Sequence, residues 1–101
     1  HPPAKEIAIM AAEKIHPDDL AQAREIAKAH EFSAHLRKGP HEKYTTRGIA
    51  SYPEARDELA RLKAEHQGRR GIVYAINSLG SFPCDDRMIA LAERVKAGEF
   101  A

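Results

Sequence analysis

The stretch from Ile49 to Ser78 constrains this chain more than any other, because it reads as a strand end, a capped amphipathic helix and another strand in succession. Ser51-Tyr52-Pro53-Glu54 has the form of a capping box: the Ser51 hydroxyl can accept from the Glu54 amide while the Glu54 carboxylate reaches back to the Ser51 amide. Ala55, Leu59, Leu62 and His66 then recur at helical spacing, Arg56, Arg61 and Lys63 fall off that stripe, and Gln67-Gly68 supplies a stop where glycine can turn left-handed. Ile72 to Ile76 is apolar at every position until Asn77, which is how a strand covered on both faces reads. A helix between two strands in this arrangement is a crossover, so the strands on either side run parallel and the helix lies over one face of their sheet. The later strand can pair with the strand just before the helix or, in order 2-1-3, with the first strand of the chain; the pattern leaves both open.

Upstream of this unit, Glu31 to Lys38 alternates, with Phe32, Ala34 and Leu36 on one side and Ser33, His35 and Arg37 on the other. Gly39-Pro40 turns the chain, and His41 to Ala50 returns as a second strand in which Gly48 shifts the alternation and marks a bulge. The two make a β-hairpin. Before it, residues Ala4 to Ile15 and a second segment opened by Pro17-Asp18-Asp19 read as two short helices, the second with Leu20, Ala23, Ala27 and His30 on one face and Ile26 beside them. A helix-turn-helix DNA reader would need base-reading side chains on the outer face of the second helix. That face offers the mixed set Gln22, Arg24, Glu25 and Lys28, so a packing role is expected. After the third strand, Leu79 to Pro83 reads as a loop, and Asp85-Asp86 opens a last helix with Met88, Leu91, Ala92 and Val95 on one side, ending at Gly98.

The expected fold is therefore α+β: two N-terminal helices, a β-hairpin, a crossover helix and third strand forming a three-stranded mixed sheet, and a C-terminal helix. With 101 residues the chain has room for one domain, over 4–98, and His1-Pro2-Pro3 reads as a disordered start or a remnant of processing or expression. One cysteine, Cys84, excludes an internal disulfide and a cysteine zinc cluster, which favours a reducing, cytoplasmic setting. No apolar run approaches the roughly 20 residues of a membrane span.

The net charge of +1 conceals a regional surplus: Glu31 to Gly71 holds nine basic residues against six acidic ones. The hairpin's solvent face and tip carry His35, Arg37, Lys38, His41, Lys43 and Arg47 with Tyr44 near them, and Arg69-Arg70 forms a further basic turn. These nine residues are the expected contact surface for an anionic partner. Other chemistry is less well supplied. His30, His35 and His41 match no HxH, HExxH or HxxxH spacing, so no metal is expected. His66 ends an apolar stripe and reads as a packed or capping histidine. Cys84 has two carboxylates and no histidine beside it, which fits an inert buried thiol. Gly68-Arg69-Arg70-Gly71 precedes a strand and lacks both nucleotide-loop fingerprints. The sequence thus leads to a non-catalytic binding module without a cofactor, contacting nucleic acid or another anionic partner through the basic hairpin. The alternative is a protein-interaction or homodimerisation module that uses a sheet edge.

Overall fold

The computed structural model describes residues 14–100, so the helix expected from Ala4 lies outside the described residues but for its last two positions. Helix α1 (Pro17–Ala27) starts as its sequence directs: Pro17 occupies the first turn, the His16 Nδ1 accepts from the Asp18 amide at 3.0 Å, and Leu20, Ala23 and Ile26 are buried. Strands β1 (Glu31–Arg37) and β2 (Lys43–Ile49) form the hairpin, followed by α2 (Tyr52–His66), β3 (Arg70–Asn77), β4 (Gly80–Cys84) and α3 (Asp86–Lys96).

The four strands form one sheet in the order β2-β1-β3-β4, and every neighbouring pair is antiparallel. The α+β class is as expected, and two details of the sheet are not. β3 does run parallel to β2, but β1 lies between them, so the sheet contains no parallel pairing and is not mixed. The supposed loop before Cys84 is a fourth strand that returns after a tight turn at Ser78-Leu79. Its proline is tolerated because β4 is an edge strand, where one face of the backbone needs no partner.

The sheet has two unlike faces. Phe32, Ala34 and Leu36 of β1 lie in register with Ala75, Val73 and Gly71 of β3, and Cys84 and Phe82 of β4 continue the row. This is the covered face, and it supplies every strand residue of the hydrophobic core. Helices α1, α2 and α3 pack there. The Tyr52 ring of α2 meets Phe32 edge-on at 6.4 Å, the Glu58 carboxylate takes the Thr46 hydroxyl, and Asn77 donates to the Glu25 carbonyl of α1 at 2.8 Å. The opposite, outer face carries Glu31, Ser33, His35 and Arg37 of β1, with Ile76, Tyr74, Ile72 and Arg70 of β3 as their register partners. That face is open only toward Arg70 and Ile72; at its other end Ile76 and Ser33 are buried.

β3 is accordingly one-sided at its start rather than covered on both faces. Val73 and Ala75 are buried under the helices, whereas Ile72 on the outer face remains 42% exposed. An apolar run without alternation conceals which positions face outward, and here the hidden positions are Ile72 and Tyr74.

Three local features of α2 and its flanks set the geometry of the basic end. The Ser51 hydroxyl accepts from the Glu54 amide at 3.4 Å, one half of the expected capping box. The helix stops at Gln67, which itself takes the left-handed conformation at φ 54°; Gly68 does not. Gly68 is instead required by space, since a Cβ there would fall 2.7 Å from the side chain of the fully buried Leu36. The expected bulge is present: the β1–β2 register shifts between Phe32 and Ala34, Gly48 has φ 72°, and its amide donates to the Glu31 carboxylate at 2.8 Å.

Candidate functional site

Where strands β1, β2 and β3 end together, the register brings three cations into one row. Arg37 is the cross-strand partner of Lys43 on one side and of Arg70 on the other, so Lys43, Arg37 and Arg70 cross three adjacent strands on the outer face. Two segments separated by some thirty residues of sequence are thereby joined, and the reason is topological: β1 sits between the second and third strands and presents its last residue to both. Like charges directly opposite one another on a sheet are unfavourable unless a counter-ion meets them. None of the three has a carboxylate partner among the described residues; the Arg37 guanidinium donates only to the Gly39 carbonyl, at 3.4 Å.

A groove of about 640 Å³ opens at this end between the hairpin loop and the turn after α2. It is lined by Arg37, Lys38, Gly39 and Pro40 on one side and Gln67, Gly68, Arg69 and Arg70 on the other. Lys38 is the one lining cation with an acidic neighbour, Glu42, at 3.9 Å. Lys63, which falls off the apolar stripe of its helix, belongs to the same end. Its Cε lies 2.8 Å from where a Cβ on Gly71 would stand, so the side chain runs along the start of β3, and it too has no carboxylate partner among the described residues.

The other cations of this region are neutralised within the fold. Arg47 pairs with Glu31 at 3.0 Å at the far end of the hairpin, and Arg56 pairs with Asp86 at 3.2 Å. Arg61 is gripped by Glu58 and Glu65, and the Arg61 and Thr46 hydrogen bonds hold the Glu58 carboxyl down at about 2. The regional surplus therefore resolves into a local one: among the described residues the cations of this region without a carboxylate partner are Arg37, Lys43, Lys63, Arg69 and Arg70, all at this end of the sheet.

Of the nine residues expected to form the contact surface, the structure brings together Arg37, Lys38, Lys43, Arg69 and Arg70. His35 lies on the same outer face, its Nδ1 2.7 Å from the Thr45 hydroxyl. His41 stands exposed in the hairpin loop. Arg47 is at the opposite end and ion-paired. Tyr44 is on the other face: it is the register partner of Leu36, its ring stacks on His66 with centroids 3.5 Å apart, and its hydroxyl donates to Glu42. The aromatic side chain of the outer face is Tyr74, which contacts the His35 ring edge-on at 6.2 Å. Strand alternation already turned Tyr74 away from Val73 and Ala75, and its pairing opposite Ser33 was the missing piece.

The remaining reactive groups are bound up in packing. Cys84 is buried, and burial together with the carboxylates of Asp85 and Asp86 pushes its thiol up to about 12. The Tyr52 hydroxyl donates to Asp86 at 2.6 Å; burial and this bond raise the phenol, while the bond and the nearby Arg56 lower the Asp86 carboxyl. Asp85 is the N-cap of α3, accepting from the Met88 amide at 2.8 Å. Among the described residues no three His, Cys, Asp or Glu side chains converge as metal ligands would, and no helix is long and apolar enough to cross a membrane.

No family model, curated protein or solved structure matches this chain.

Proposed function

We propose that this chain is a binding module for nucleic acid, and that it acts through the basic end of its outer sheet face rather than through catalysis. The observation that carries the reading is the row Lys43-Arg37-Arg70. Three cations in direct cross-strand register have no carboxylate partner among the described residues, while Arg47, Arg56 and Arg61 each have at least one. A fold that leaves such repulsion unrelieved gains most when phosphates arrive from outside. Arg69 and Lys38 extend the field into the groove and Lys63 carries it past the end of the sheet at the start of β3, so the cations follow a path instead of forming a single point site. A path of charge suits a polymer of phosphates better than a lone anion.

The test is a titration of fluorescein-labelled DNA and RNA, at low and at moderate salt, against the parent chain and a variant with Lys43, Arg37 and Arg70 changed to Gln. The parent is expected to bind at low salt and the variant to lose about tenfold or more, with circular dichroism unchanged. Absence of binding by the parent at low salt sinks the proposal. Concentration-dependent self-association that ignores salt would instead support the protein-interaction alternative.

A further inference from the structure

Resting on that reading, we infer that the nucleic acid is single-stranded and that one of its bases stacks on Tyr74. The three tyrosines of the chain are not equivalent. Tyr44 and Tyr52 lie on the covered face or in the core, and each gives its hydroxyl to a carboxylate, Glu42 and Asp86 respectively. Tyr74 is on the outer face, half-buried, with no hydrogen bond from its hydroxyl to any described residue.

Its neighbours toward the basic row make a small apolar platform, while Ser33 and Ile76 on its other side are buried. His35 meets the ring edge-on, and Ile72 lies beside His35 in register and 42% exposed, one of two large hydrophobic side chains left so open among the described residues. Along β3 the outward residues run Arg70, Ile72, Tyr74. Successive outward positions are about 6.6 Å apart, which puts the Tyr74 ring about 13 Å from the basic row. A short run of extended nucleotides spans that interval, with its phosphates at Arg70, Arg37 and Lys43 and a base over the Tyr74 ring.

A duplex could use the cations but not the platform, because its base faces are covered by their own stacking. A single strand offers both its phosphates and free base faces, the combination that positively charged, aromatic-bearing surfaces recognise. An unpaired strand therefore uses both the cations and the platform of this face, whereas a duplex uses the cations alone.

The experiment compares three probes of equal strand length under one salt condition: a single-stranded oligonucleotide, its duplex with twice the phosphates, and a strand of abasic sites that keeps the sugar-phosphate backbone without bases. The parent is expected to bind the single strand at least about tenfold more tightly than the abasic strand or the duplex. Tyr74→Leu is expected to lose about 5- to 150-fold for the single strand and nothing for the abasic strand, while Tyr74→Phe retains binding. Equal affinity for the single strand and its abasic counterpart overturns the stacking inference without needing any protein variant. In that case weakening by Arg37→Gln would still uphold the charged-surface reading. Failure of all three probes to bind at low salt overturns both.

Discussion

Arg37 and Arg70 are cross-strand partners in the β1–β3 pairing, two guanidinium-bearing side chains set directly opposite on the outer face of the sheet. The arrangement costs the fold something and benefits a ligand. Replacing Arg70 with Gln should therefore raise thermal stability slightly at low salt, by about 0.2–1 kcal/mol, while weakening nucleic-acid binding. The stability gain should shrink as salt screens the pair. Thermal unfolding at two ionic strengths decides it; a destabilised variant would show that Arg70 serves the fold.

The helices were legible in the sequence because each is announced by local chemistry: Pro17 behind His16, Ser51 before Tyr52, Asp85 before Asp86. The fourth strand was not, since Gly80 and Pro83 within five residues are loop punctuation everywhere except on a sheet edge. The basic residues of the site could be read from charge alone, but their convergence could not. It depends on β1 occupying the position between β2 and β3, a long-range choice that hydrophobic alternation does not encode. Tyr74 was hidden for a related reason: Ile72 to Ile76 is apolar throughout, so its periodicity is silent until Tyr74 is seen opposite Ser33.

Gly68 should prove indispensable for packing rather than for backbone freedom. A Cβ there would stand 2.7 Å from Leu36, which has no exposed surface and cannot withdraw, whereas a Cβ on Gly39 would meet nothing within 4 Å. Gly68→Ala is expected to cost about 1–3 kcal/mol and Gly39→Ala less than about 0.5 kcal/mol. Urea unfolding of the two variants side by side checks this, and equal losses would contradict it.

Glu58 should contribute to the acid limit of stability. Its hydrogen bonds from Arg61 and Thr46 lower the folded carboxyl from 4.5 to about 2. A carboxyl depressed in the folded state stabilises above its unfolded value and loses that contribution as pH falls through the folded one. The midpoint difference between parent and Glu58→Gln should thus be full at pH 7 and close progressively between about pH 4.5 and 2. A difference that stays constant over this window would mean that the Glu58 charge does not matter to the fold.

The most direct measurement of the central claim is the salt dependence of binding to a single-stranded oligonucleotide for the parent and for the Arg37→Gln, Arg70→Gln double variant. Each phosphate contact on a single strand contributes about 0.7 to the slope of log K against log salt. The account predicts steep weakening of the parent with salt and a slope shallower by about 1.4 in the double variant. Identical slopes for the two proteins, or binding indifferent to salt, would contradict it.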